Sequence, residues 1–212
     1  QPGRKLLITG KGRCNLTNHC EFDAFLAAVN RGGRFLHSAW NALSARDTME
    51  LFERLGVPLK TERGNRVFPV SDRSADVVDA LVSHARDSGV TFVKERALEL
   101  LMADGRAAGV ACESGKHYRA ASVVIATGGV SYPLTGSTGD GYELAAQAGH
   151  LVIAPQPSLV PVEVQEGWPK QAMGLSLKNV TLTLTKIGSS KVLFQELGEM
   201  LFTHFGVSGP LV

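Results

Sequence analysis

Ser122-Val123-Val124-Ile125-Ala126-Thr127-Gly128-Gly129 is a continuous apolar run that empties into a double glycine. It lacks the alternation of a half-exposed strand, so it reads as a strand buried on both faces, as in a parallel sheet covered by helices. Glycines at the carboxyl end of such a strand let the backbone approach a ligand with no Cβ in the way. A tight strand-to-loop turn without a ligand is the plain alternative. Upstream, Ala97–Met102, Ala107–Cys112 and His117–Ala120 are short extended runs separated by the hairpin-type turns Asp104-Gly105 and Ser114-Gly115. Thr91–Lys94 is another extended run. Before it, Ser74–Ser88 carries Val77, Val78, Leu81, Val82 and Ala85 along one helical stripe and stops at Gly89. Helix, strand, β-meander crossover and buried strand, in that order, predict an α/β domain.

This order resembles that of a class of Rossmann-like, flavin-binding domains with a meander in the crossover. The chain has 212 residues, 44% apolar and 20% charged, enough to bury a real core. A net charge of +2 is too small to argue for nucleic acid or a membrane surface. No apolar run has the length of a membrane-spanning helix. The three cysteines, Cys14, Cys20 and Cys112, form no CxxC pair, and a reducing cytoplasm is the economical compartment. The chain opens at Gln1-Pro2-Gly3 without methionine and stops at Leu211-Val212, so an internal piece of a longer protein is expected. Pro155, Pro157 and Pro161 mark a linker, which predicts a partial nucleotide-binding domain over 1–154 and the start of a β-rich domain over 155–212. In that second part Val180, Leu182 and Leu184 alternate with Thr181, Thr183 and Thr185; Lys191–Phe194 is the expected partner strand across Gly188-Ser189-Ser190.

Toward the N-terminus, residues 5 to 9 read as a short extended segment, residues 22 to 30 as a helix, and Ser38 to Leu55 as a helical pair. Asp47 with Glu50 is expected to cap the second member of that pair, and Gly64 to Pro69 reads as a loop. Arg4, Lys5, Lys11 and Arg13 accumulate in a stretch with no carboxylate. There Gly10-x-Gly12-x-x-Asn15 is a near miss to the dinucleotide fingerprint, its third position being Asn15 instead of glycine. Arg13, Asn15, Thr17 and Asn18 crowd uncompensated donors into this turn, which suits phosphate oxygens or a flavin edge. Cys14 beside Arg13 reads as either a redox thiol or a packed, inert one. Gly136-Ser137-Thr138-Gly139-Asp140-Gly141 lacks the lysine of a P-loop, and Asp140 with Glu143 is expected to cap a helix over Tyr142–Ala148. His204, among aromatics, reads as a structural histidine or a proton donor. The histidines show no metal-ligand spacing.

Several segments recur in one order: Pro2-Gly3-Arg4-Lys5-Leu6-Leu7-Ile8, Gly12 to Asn18, Arg66-Val67-Phe68-Pro69, Ala126 to Pro133, Gly136 to Tyr142, and Leu201 to Pro210. Together they resemble the bacterial NAD(P)/FAD-dependent oxidoreductases of the aminoacetone oxidase or 3-dehydro-bile-acid reductase type. The resemblance implies an FAD-binding Rossmann-like domain interrupted by a β-rich insertion that starts near Pro155. It implies FAD contacts from Lys5, Gly12, Arg13, Cys14, Asn15, Thr17, Asn18, Ala97, Thr127, Gly128 and Gly129, with His204 covering the flavin. It further implies NAD(P)H as reductant and a small organic molecule or dioxygen as acceptor. The competing readings are a non-catalytic flavin- or nucleotide-binding module and, more weakly, an RNA-binding protein. The N-terminal loop has no aromatic residue for base stacking, so neither a nucleic-acid nor a membrane partner is expected.

Overall fold

Arg, Lys and Leu are good helix formers, and the N-terminal segment expected to be extended is helical: α1 covers Arg4–Ile8. Its Leu6 packs against a core of Cys14, Phe52, Val57 and Val77. The computed structural model describes residues 2–212, which divide into two units with the break between Val152 and Ile153. After a tight turn, β1 (Thr17–Asn18) leads into α2 (Phe22–Ala27), α3 (His37–Ala42) and α4 (Ala45–Arg54). The cap of α4 is Ser44 and not the expected Asp47–Glu50 pair. Asp47 N–H donates to Ser44 Oγ at 3.1 Å and Ser44 N–H to Asp47 Oδ2 at 2.9 Å, a reciprocal box. Glu50 faces Arg46 instead, at 3.1 Å.

Gly64 to Pro69 is not simply a loop. Strands β2 (Leu59–Glu62) and β3 (Arg66–Pro69) pair antiparallel around a turn at Arg63–Asn65, and β1 joins the other edge of β3. Val67, Phe68 and Pro69 are fully buried, and burial stabilises each large apolar side chain by about 1.5–3 kcal/mol. The expected amphipathic helix is α5 (Ser74–Asp87), with Val77 and Val78 buried. Ser74 Oγ donates to the Leu7 carbonyl at 2.9 Å and so ties the start of α5 to α1.

The meander follows as β4 (Ala97–Ala103), β5 (Arg106–Cys112) and β6 (His117–Arg119), a three-stranded antiparallel sheet. Asp104 and Gly105 both have positive φ and join Ala103 to its partner Arg106, the two-residue turn that suits the twist of a hairpin. Helix α6 (Asp140–Gln147) completes the unit. Its N-cap is Gly139, so Asp140 is the first helical residue and not the cap.

The apolar run Ser122–Ala126 and the run Thr91–Lys94 are not strands of any sheet among the described residues. The expectation of a strand covered on both faces fails at Val124, which is 86% exposed. A run becomes a sheet strand only when a neighbour satisfies its N–H and C=O groups, and among the described residues these two runs have no such neighbour.

In the second unit β7 (Val162–Glu163), β8 (Ser176–Thr185), β9 (Val192–Phe202) and β10 (Gly206–Ser208) form an antiparallel sheet of order β7-β10-β9-β8. The partner of the Val180–Leu184 alternation runs on well past Phe194, to Phe202. Trp168 packs edge-on to Phe202 at 5.2 Å between ring centres.

Candidate functional site

A cleft of about 880 Å³ opens in the first unit. Ala97 and Thr127, candidate cofactor contacts from separate parts of the chain, both line it, together with Arg4, Lys94 and Gly136. Helix α1 sets the cations of this region. The Arg4 guanidinium donates to the Leu134 carbonyl at 2.5 Å and the Lys5 ammonium to the Ser131 carbonyl at 2.7 Å. The N-terminal helix is thereby fastened to the loop that Gly128 and Gly129 open. These anchors are neutral carbonyls, so both cations keep their charge uncompensated; among the described residues no carboxylate forms an ion pair with Arg4, Lys5 or Lys94.

The carboxylates of the cleft are spoken for. Asp140 receives Arg96 in a two-pronged contact, Nε to Oδ2 at 2.8 Å and an Nη to Oδ1 at 3.1 Å, and Thr138 Oγ1 donates to Oδ1 at 2.7 Å. The Arg96 hydrogen bond, then that of Thr138, lower the Asp140 carboxyl to about 2. Glu95 accepts from Ser114 Oγ and from Lys116 Nζ, and both hold its carboxyl below the usual range, Ser114 most strongly. Gln147 completes the frame: its side chain donates to the Leu98 carbonyl at 3.1 Å and accepts from Leu100 N–H at 2.9 Å, docking α6 on the free edge of β4. Gly141 lies where α6 meets the run before the double glycine; a Cβ there would collide with Thr127 Oγ1 and stand 3.0 Å from Ile125 Cγ2.

The second group of candidates is set differently. The reading of Arg13 and Asn18 as uncompensated donors fails, because folding brings acceptors from distant sequence. Arg13 meets Glu62 at 2.9 Å and Asp72 at 3.2 Å, from 49 and 59 residues away, and lies 4.0 Å over the Phe68 ring. Lys60 joins the same carboxylates, 2.6 Å from Asp72 and 3.6 Å from Glu62. Asn18 Nδ2 donates to the Gly64 carbonyl at 2.8 Å. Thr17 and Asn18 form β1 on the edge of β3, and Leu16 N–H donates to the Val67 carbonyl at 2.8 Å. Gly12 and Asn15 flank Arg13 and Cys14 in the turn after α1. Cys14 is 1% exposed, and burial pushes its thiol up, against a smaller opposite effect of its hydrogen bond with Thr9. This is the packed, unreactive thiol of the two readings.

In the second unit His204 is exposed, its ring edge-on to Phe205 at 4.7 Å. Among the described residues no group of three His, Cys, Asp or Glu could hold a metal, and no helix is long and apolar enough to cross a membrane. Arg4, Lys94 and Arg96 were not among the sequence candidates. Arg4 belonged visibly to the basic N-terminal cluster, and Arg96 adjoins Ala97, but pairing with Asp140 across the chain leaves no local signal.

The cleft suits a dinucleotide on two counts. Arg4 and Lys94 supply unneutralised positive charge for phosphate oxygens, and Thr127, the residue before the double glycine, lines its wall, whereas Gly128 and Gly129 do not. A family model described as HI0933-like protein Rossmann domain matches residues 1–209. The 3-dehydro-bile acid delta(4,6)-reductase of Clostridium scindens is 31% identical over 98% of this chain and 49% of its own length. The ribosomal RNA dihydrouridine synthase of Escherichia coli is 31% identical over 100% of this chain and 51% of its own length. A shorter match, 34% identical over 38% of this chain, is to the L-aspartate oxidase of Saccharolobus solfataricus. The chain thus spans about half the length of the first two relatives.

Proposed function

The chain belongs to the HI0933-like Rossmann family of FAD-binding oxidoreductases, and on that premise we propose that it is the nucleotide-binding part of an enzyme that saturates a carbon–carbon double bond conjugated to a carbonyl. The names of the two relatives that match along its whole length support this reading. A delta(4,6)-reductase of a 3-dehydro bile acid and a dihydrouridine synthase both add hydrogen to such a bond. Bound FAD would supply the hydride chemistry, with NAD(P)H as the reductant.

The residues of this chain would do the holding and the charge placement. Arg4, Lys5 and Lys94 would neutralise phosphate oxygens. The backbone near Ala97 would meet the adenine. Thr127, Gly128 and Gly129 would run close to the cofactor because the glycines present no Cβ. The Arg96–Asp140 pair would keep the meander and α6 in register at the cleft wall. Arg13 would act indirectly: with its charge matched by Glu62 and Asp72, it fixes the turn from Gly10 to Asn15 by clamping it to the β2–β3 hairpin. The observation that carries the reading is the anchoring of the cationic α1 to the loop after the double glycine, beside a cleft that reaches both Ala97 and Thr127.

A small organic acceptor is the reading preferred here, and the unpaired cysteines suit a reducing, cytoplasmic setting. A uridine in RNA is the second reading, favoured by the printed activity of the dihydrouridine synthases. The test is turnover. The native polypeptide that carries these residues is purified and its flavin exposed without oxygen to NADH or NADPH, then to a conjugated enone or to an unmodified ribosomal RNA transcript. Bleaching by the nicotinamide and recolouring by the enone support the proposal. Recolouring by RNA alone transfers it to the second reading, and a flavin that no reductant bleaches makes the protein a binding module.

A further inference from the structure

A second pocket, of about 320 Å³, lies in the first unit beside β1 and helices α2 to α4. Its apolar lining includes Cys20, Phe25, Leu36, Trp40 and Leu43. We propose that this pocket binds an uncharged, flat, fused-ring organic molecule.

Three features select that chemistry. The first is the ring cluster. Trp40 lies 4.7 Å from Phe25, with their planes 31° apart, and 5.6 Å from Phe22, which itself packs on His37 at 4.6 Å. The indole is thus braced from both rings of α2, and Trp40 and Phe25 reach the lining as rigid aromatic surface, the kind on which a flat ring stacks at little entropic cost. The second is what the polar neighbours are doing. Ser44 is consumed by its capping box with Asp47, Thr48 Oγ1 donates to the Ser44 carbonyl at 2.8 Å, and the Asn18 amide donates to Gly64. The lining carries no charged side chain, so a charged ligand would lose water here and find no ion-pair partner; a neutral ring loses nothing of the kind. The third is size. The volume is at the lower end of small-molecule sites, roughly 300–1,000 Å³, which admits a compact ring system and leaves no room for a folded polymer segment.

Thr17 and Asn18, just after the turn that begins at Gly10, also line the pocket. That its ligand is also the acceptor of the reaction rests on the function proposed above; the binding itself does not.

The test uses the native polypeptide carrying Trp168→Phe, which leaves Trp40 as the sole tryptophan of these 212 residues; the signal of Trp40 is taken as the difference from the same protein carrying Trp40→Phe as well. Testosterone is titrated while Trp40 fluorescence is read, and uridine is titrated separately. Alkylation of Cys20 by N-ethylmaleimide is followed by peptide mass in parallel. Saturable quenching by testosterone, with slowed alkylation of Cys20 and neither effect from uridine, is the expected result. Leu43→Asp is placed at a side chain already 52% exposed, and a charge at the wall weakens testosterone by at least about tenfold. No saturable quenching, equal binding of uridine, or undiminished binding by Leu43→Asp overturns the proposal. The Cys20 protection in the unaltered pocket decides the matter if that variant misfolds. Neither readout involves flavin, so a colourless protein that still binds testosterone defeats the proposed function and leaves this one standing.

Discussion

Replacing Gly10 by alanine isolates the contact that shapes the turn after α1. Gly10 has φ 55°, and a Cβ there would stand 2.8 Å from the Asn15 backbone nitrogen and 3.0 Å from Cε1 of Phe68. Neither neighbour can yield cheaply: one is main chain, the other a ring only 2% exposed. Gly12 is the internal control, since it also has positive φ, at 85°, but a Cβ there would meet only the Leu7 carbonyl, at 4.0 Å. Both substitutions incur the left-handed penalty of about 1–2 kcal/mol. Gly10→Ala alone adds overpacking, about 1–3 kcal/mol. Urea unfolding, followed by Trp40 fluorescence in the Trp168→Phe background, reports on the first unit. With a slope of about 2 kcal/mol per molar urea, Gly10→Ala is expected to unfold at a midpoint lower than Gly12→Ala by about 0.5–1.5 M. Midpoints that agree within the equivalent of about 0.5 kcal/mol would refute the claim that Asn15 and Phe68 close over Gly10.

Other outcomes follow from the same contacts. Gly141→Ala is expected to destabilise by about 1–3 kcal/mol, and adding Thr127→Ala, which removes the colliding hydroxyl, is expected to recover part of it; a strictly additive double mutant would contradict the packing of α6 on Thr127. The Asp140 carboxyl is lowered from 3.8 to about 2, so its pairing stabilises in full above the ordinary carboxylate range and is lost as pH falls toward 2. Asp140→Asn should therefore flatten the acid limb of a stability-versus-pH curve. It should not abolish it, because Asp47, Asp72 and Glu95 are lowered too; an acid limb identical to that of the parent would remove the Arg96–Asp140 clamp from the account. In a timed alkylation read by peptide mass, Cys20, which is half-buried, should react well before the buried Cys14 and Cys112, and early loss of the Cys14 thiol would mean the turn is open.

What the residues disclosed and what they withheld divides along a physical line. Local patterns were legible: the stripe of Val77, Val78 and Leu81 on α5, the positive-φ pair Asp104-Gly105, and the threonine alternation of β8. Elements whose identity depends on a partner were not. Leu6 and Leu7 look like an extended run until the core of Phe52 and Val77 is there to receive a helix. Val67 and Phe68 look like a loop until β2 pairs with them, and Val123 to Ala126 look like a buried strand although no described strand pairs with them and Val124 is exposed. The same holds at the site. Arg13 stands in a stretch free of carboxylates, and only folding reveals Glu62 and Asp72 beside it. Arg4 and Lys5 kept the free charge that Arg13 had been expected to carry.

The visible absorption spectrum of the native polypeptide that carries these residues, recorded beside that of its Arg4→Ala, Lys5→Ala variant, tests the central claim most directly. The account predicts a bound yellow flavin that is released as FAD on denaturation, and a variant that still unfolds cooperatively, at a midpoint lowered by the loss of the Arg4–Leu134 and Lys5–Ser131 hydrogen bonds, yet loses most of its colour at temperatures where it is folded. A colourless protein that takes up no added FAD, or a doubly substituted variant that keeps its flavin undiminished, would contradict it.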